Sequence, residues 1–286
     1  MRTTADSGTT TTRLDELWTS SGAVVMGIVN ATPDSFSDGG RFEDPVEAIA
    51  EGERQLAAGA SIIDIGGEST RPGAGDVAAD EERRRVLPVI AGLRRSRPAA
   101  VLSIDTTKVG VAEAALDAGA DLVNDVSAGS APGMLELVAR HGAGIVLMHR
   151  RGTPKTMQDD TRYDDVVAEV HAFLRERAAV AAAAGVARER IWLDPGIGFG
   201  KDDAGNLALL AALPALAALG HPVVVGPSRK AFIGRLTGAE VDDRLGGTLA
   251  ALIPAAGLDR VAVRVHDVGP TVQFLTLADR LAGAAA

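Results

Sequence analysis

"DAGADLVNDVSAG" (residues 117–129) contains one complete seam of the fold. An Ala-rich helical run closes on Gly119, the residue type expected just past a helix C-terminus. A short apolar strand follows, "DLVNDV" (121–126), which carries two polar side chains, Asn124 and Asp125, at its end and opens into Ser and Gly. The same closure returns in "AAGAS" (57–61) and "RHGAG" (140–144), each again followed by an apolar run. The unit repeats along the chain, and strands are predicted at 23–29, 61–66, 100–105, 121–126, 144–149, 190–196, 222–226 and 261–267. Helices are predicted at 44–58, 79–95, 108–118, 132–141, 164–184, 203–219, 242–257 and 270–283.

Strands alternating with helices make a parallel sheet, and near-continuous apolar strands fit a sheet covered on both faces. Eight such units in about 250 residues predict an α/β fold, the (β/α)8 TIM barrel. A doubly wound open sheet more often carries fewer strands and a Gly-rich first turn, and no G-x-G-x-x-G follows the first strand. The polar, apolar-poor start "MRTTADSGTTTT" does not read as a secretory signal. It predicts a disordered tail over residues 1–20, with one barrel domain over 21–286.

The chain has 286 residues, of which 46% are hydrophobic, and only 3% are aromatic, so the core must be built from Ala, Val, Leu and Ile. A formal net charge of −9 argues against a nucleic-acid partner, which wants a basic footprint. It leaves room for anionic small molecules held by local Arg and Lys. No stretch approaches the ~18 consecutive apolar residues of a membrane-spanning helix. With no cysteines, disulfides and thiolate metal sites are excluded, which agrees with a cytoplasmic location.

In this fold the active site lies on the loops after the strands. Asn30 ends the first strand, "DIGGESTRPGA" (64–74) spans the end of the second, Asp105 ends the third, and Asn124 and Asp125 the fourth. His149, "DPGIGFG" (194–200), "GPSRK" (226–230) and "RVHD" (264–267) close the other four. Taken singly, these have plainer readings. An Asp or Asn at a strand end forms turns or caps the next helix. Lys230 alone reads as a solvated helix residue, His149 and His266 as satisfied structural histidines, and Asp64, inside the second strand, as structural or a supporting hydrogen-bond partner. Their coincidence around one ring outweighs eight separate capping accidents.

Sorted by chemistry, Asp105, Asn124 and Asp194 can hydrogen-bond a flat heterocycle, and a buried carboxylate matches an amino-pyrimidinone edge with two adjacent N–H donors. Lys230, Arg264 and His266 come from the last two strands, where phosphate sites of this fold often sit, and Arg suits bidentate phosphate contact. Asn30 could hold a Mg²⁺ that keeps most of its waters and bridges to phosphate. Loops 31–41 and 66–78 are rich in Gly, Pro and Ser, the composition of a mobile lid, and carry Asp34, Phe36, Asp38, Ser69, Thr70, Arg71 and Pro72.

At these residues the chain resembles the dihydropteroate synthase family. "GIVNATPDSFSDGG" (27–40), "DIGGESTRPGA", "SIDTTK" (103–108), "LVNDVSAG" (122–129), "LMH" (147–149), "LDPGIGFGK" (193–201), "GPSRK" and "VRVHDV" (263–268) are similar to its motifs, in its order, across residues 24 to about 283. The resemblance implies a transferase of folate biosynthesis that joins p-aminobenzoate to 6-hydroxymethyl-7,8-dihydropterin diphosphate. It implies that Asp105, Asn124, Asp194 and Lys230 hold the pterin, that Thr70, Arg264 and His266 hold the diphosphate, and that Asn30 ligates Mg²⁺. It further implies a p-aminobenzoate pocket of Phe36, Thr70, Pro72, Phe199 and Ser228, with Asp38, Arg71 and Lys230 in catalytic roles and a homodimer as the usual assembly. Pro227, Pro254 and Leu258 depart from the family pattern and touch none of these assignments. A methyltetrahydrofolate:corrinoid methyltransferase would share the pterin-holding Asp and Asn but bind no diphosphate; Thr70-Arg71, Lys230 and Arg264-x-His266 argue against it. A catalytically silent pterin-binding paralogue would have lost the two loops' residues, which are complete here.

Overall fold

Apolar residues on both sides of a strand need cover on both sides, and a barrel wrapped in helices supplies it. The computed structural model describes residues 13–19, 22–31, 45–68, 75–152, 156–157 and 160–284. Its strands are β1 (Val24–Asn30), β2 (Ile62–Gly66), β3 (Val101–Asp105), β4 (Leu122–Asp125), β5 (Gly144–Met148), β6 (Ile191–Asp194), β7 (Val223–Val225) and β8 (Val261–Val265). Each pairs in parallel with the next, and β8 returns to β1, from Val24↔Ala262 to Gly27↔Val265, to close the barrel.

Two apolar layers result. Ile63, Ile65, Leu102, Ile104, Val123, Ile145, Leu147 and Leu193 point outward and pack under the helices. Met26, Ile62, Val101, Leu122, Val146, Trp192, Val224 and Ala262 fill the barrel floor as a separate cluster. Burying each such side chain contributes roughly 1.5–3 kcal/mol before the entropy of ordering it.

The helices follow their local signals. Asp165 caps Val166–Ala183 by accepting from the N–H groups of Val167 and Ala168, and Asp202 caps Asp203–Ala211 through Gly205. Prolines divide two predicted helices. The run predicted at 203–219 breaks at Ala212 and restarts as Leu213–Ala217, with Pro214 in its first turn. The run predicted at 242–257 becomes Leu245–Ala251 and a 3-10 turn, Ile253–Ala255, built on Pro254. Ala231–Thr237 is an unpredicted helix; its seven residues are too few to show a period.

The tail prediction needs correcting over residues 13–19. Residues 13–16 form a helical turn, and Leu14, 1% exposed, joins the floor cluster. Trp18 lies 5.2 Å from Trp192, centroid to centroid. Arg13 bonds the fully buried Asp121 at 2.8 Å through Nε, and Asp15 accepts from Arg190 at 2.9 Å. Three apolar residues, Leu14, Leu17 and Trp18, stand at helical spacing but span barely one turn, too short a stretch to mark as a helix in a polar tail, so the sequence hides a segment ordered by the barrel's floor. Residues 1–12 lie outside the described residues. No helix among the described residues is long and apolar enough to cross a membrane.

Candidate active site

The strand registers gather the predicted polar residues at the barrel's C-terminal mouth. Asn30 pairs with Gly66, Gly66 with Asp105, and Asp105 with Asn124, a single row across four strands. Across the barrel, Met148 pairs with Asp194. Asp105, Asn124, Asp194, Phe199, Lys230 and Arg264 line one open pocket, with Val126, Met148 and Ile197 as apolar walls. Asp105 does not cap the helix after β3, which starts past Lys108 with no side-chain cap.

Arg264 is the hub of the mouth. Its Nε donates to Asp64 Oδ2 at 2.6 Å and its Nη2 to Asp105 Oδ2 at 2.9 Å. Asn124 Nδ2 donates to the same Asp64 oxygen at 2.9 Å, so the mid-strand Asp64 orients two pocket residues at once. Two carboxylates therefore share one guanidinium. Burial pushes the Asp105 carboxyl up to about 7; Arg264 opposes the shift and Asp64 adds to it. Burial works against the Arg264 charge, but Asp64 and Asp105 outweigh it and hold the guanidinium above its ordinary value. With both acids ionised the trio keeps an excess negative charge, which adds to the resistance of Asp105 to ionisation. Burial also raises Asp194, although Gly196 N–H bonds its Oδ1 at 2.6 Å and Lys230 stands nearby.

Lys230 is half-buried and caps Ala231–Thr237 with extended backbone; its Nζ stands 4.0 Å from the centroid of the Phe199 ring, a cation–π contact. Arg229 before it adopts φ 56°, the left-handed region that a side chain disfavours. Two bonds from its guanidinium to Asp267, at 3.0 and 2.6 Å, and one from its N–H to Thr248 Oγ1 hold it there. Ser228, expected beside p-aminobenzoate, meets His266: it accepts from His266 N–H at 3.2 Å and lies 3.0 Å from Nδ1. Asn30, the expected Mg²⁺ ligand, sits partly exposed at the end of β1. Phe36, Asp38, Thr70, Arg71 and Pro72 lie outside the described residues.

Some plain readings hold. Asp125 builds its own turn, accepting from Ser127 N–H at 2.7 Å and Gly129 N–H at 2.9 Å. His149 is buried and neutral: burial first, then Lys201 and Arg151, draws it down to about 3. Its partner Lys201, 1% exposed, is a residue no sequence signal marked beyond its place in "GFGK".

A closed (β/α)8 barrel whose mouth gathers carboxylates, an amide and cations from the β7 and β8 ends into one pocket has the form of a barrel enzyme for a polar small molecule. Residues 26–266 match the family described as pterin binding enzymes. A dihydropteroate synthase from Escherichia coli (strain K12) is 44% identical over 255 residues, covering 89% of this chain and 90% of the relative. Dihydropteroate synthase from Xanthomonas albilineans solved with 4-aminobenzoic acid superposes with TM-score 0.85 at 50% identity, covering 93% of this chain and 94% of that one. The same organism's enzyme in complex with 7,8-dihydropteroate gives 0.82 at 47% identity, covering 93% and 95%. The chain belongs to the pterin binding enzyme family, among its dihydropteroate synthases.

Proposed function

We propose that this dihydropteroate synthase condenses p-aminobenzoate with 6-hydroxymethyl-7,8-dihydropterin diphosphate, giving 7,8-dihydropteroate and pyrophosphate. The convergence of Asp105, Asn124, Asp194, Lys230 and Arg264 on one pocket carries the reading. Asp194 and Asp105 accept from the pterin's amino and ring N–H groups, Asn124 adds an amide, and the apolar walls cover the ring faces. Lys230 bridges the pterin and the reacting end. Arg264 has Nη1 without a hydrogen-bond partner among the described residues, and with His266 it meets the diphosphate.

The methylene C–O bond breaks, the diphosphate leaves with the electron pair, and positive charge spreads into the ring. The amine nitrogen of p-aminobenzoate forms the new C–N bond and loses one proton. Cations near β7 and β8 stabilise the departing anion, and no covalent enzyme intermediate is required. Phe36, Thr70, Pro72, Phe199 and Ser228 shape the second pocket in this proposal, with Asp38 and Arg71 acting from the loops. The donor set fits Mg²⁺ in one way: Asn30 offers a single neutral oxygen, enough for an ion that keeps most of its waters and arrives with the diphosphate. Such an ion would neutralise charge on the leaving group. A cytoplasmic homodimer belongs to the same proposal, and sedimentation at micromolar concentration tests the assembly. Pyrophosphate release, assayed with pterin diphosphate and Mg²⁺ with and without p-aminobenzoate, tests the reaction. Release that needs both substrates supports it, and none with both would reject it.

A further inference from the structure

We propose that Lys201 is a positioning residue for the pterin pocket: its buried amine gathers the loop after β6, setting Phe199 beneath Lys230 and Gly196 N–H against Asp194. The proposal rests on the functional reading above, because it names the residue that keeps that pocket in shape.

Lys201 Nζ lies 2.9 Å from Gly196 O, 2.9 Å from Phe199 O, 3.0 Å from His149 Nδ1 and 3.2 Å from His149 O. An ammonium has three N–H groups, so it serves three of these four acceptors at a time. One amine thus ties the end of β5 to both ends of the loop. The loop's other side is the pocket: Gly196, Ile197 and Phe199 line it. Gly196 N–H reaches Asp194 Oδ1 at 2.6 Å, and the Phe199 ring carries Lys230 Nζ at 4.0 Å. The approach leaves no slack, because a Cβ on Gly196, whose φ is +67°, would fall 1.9 Å from His149 O.

A stabilising role alone accounts poorly for this residue. Burial draws Lys201 down to about 7, against the pull of Asp194 and with help from Lys230 and Arg151. Taking this cation out of water works against the folded state, and the bonds it makes to Gly196 O, Phe199 O and His149 offset that cost, so its net stabilisation is small. The amine's distinct contribution is to give two loop carbonyls and an imidazole a common donor, which fixes the loop's shape.

The chain contains no cysteine, so Lys201→Cys introduces a unique thiol, and aminoethylation of the unfolded variant restores an amine of nearly the same length. Wild type, Lys201→Met, Lys201→Cys and aminoethylated Lys201→Cys are compared for kcat, for KM of the pterin diphosphate and for thermal midpoint. Wild type taken through the same unfolding and refolding is the control. Lys201→Met is expected to fold with a lowered midpoint, because it leaves buried acceptors without a donor, and to lose on the order of tenfold or more in kcat/KM for the pterin diphosphate when assayed well below that midpoint. Aminoethylation is expected to recover most of the loss seen in Lys201→Cys. Wild-type kinetics in Lys201→Met overturn the proposal, as does a loss that only follows loss of fold, or an aminoethylated protein that refolds without recovering KM. A wild type that releases no pyrophosphate removes the functional reading itself, whereas an active wild type matched by Lys201→Met removes this inference alone.

Discussion

The two ends of this barrel treat buried charge in opposite ways. At the floor, Asp121 is fully buried and each oxygen is answered: Arg13 bonds Oδ1, while Arg94 and Leu102 N–H bond Oδ2. At the mouth, Asp64 and Asp105 divide one arginine, and Asp64 Oδ1 is buried with no partner among the described residues. Asp194 accepts from a backbone N–H, and among the described residues no side-chain donor is bonded to it. The floor's buried carboxylate is matched by its own cations and a backbone N–H, whereas the mouth keeps a carboxylate oxygen uncompensated, as a site needs if a ligand's N–H groups are to complete it.

A floor variant should therefore change stability alone, whereas mouth variants should change binding, with or without stability. Arg264→Ala should have the largest effect, leaving two buried carboxylates without their cation and costing about 3–5 kcal/mol of stability. It should also weaken the free pterin alcohol together with the diphosphate, because Arg264 holds Asp105. Calorimetry that finds the alcohol unaffected would restrict Arg264 to the phosphate. Leu14→Ala at the floor should cost about 2–5 kcal/mol by denaturant unfolding and leave KM for both substrates unchanged; a changed KM would show that the ends are coupled. Asp194→Asn should leave the fold intact and cost about 1–3 kcal/mol of pterin affinity, since the amide turns one acceptor into a donor facing the ligand's N–H groups. Unchanged affinity by calorimetry would remove Asp194 from the site.

What the sequence made legible differs between these ends for the same physical reason. Mouth residues stand at strand ends, where an apolar run stops in Asp105, Asn124 or Asp194, so the period of the strand points to them. Leu14 and Trp18 sit in no run of their own, and the apolar surface they cover comes from β1, β4, β6 and other strands. Lys201 is hidden in another way. A lysine in a Gly-rich loop reads as solvated, and only the left-handed turns at Gly196, Gly198 and Gly200 fold the loop around its amine. Arg264 was visible as a cation at the mouth, but its pairing with Asp64 and Asp105 depends on where β2, β3 and β8 meet in space.

If the mouth's acids wait for a ligand's N–H groups, binding must displace protons, and those protons can be counted. In the free protein the Asp105 carboxyl titrates at about 7 instead of 3.8. Between those values the native state holds a proton that the unfolded chain has lost, so this group's contribution to stability fades as pH rises through about 7. A pterin that donates to the carboxylate must expel that proton. Titration calorimetry with the pterin alcohol, repeated in buffers of different protonation enthalpy, should show proton release near about pH 6 that fades by about pH 8.5 and largely disappears in Asp105→Asn. Tight binding at about pH 6 with no proton released would mean that Asp105 does not accept from the pterin as a carboxylate.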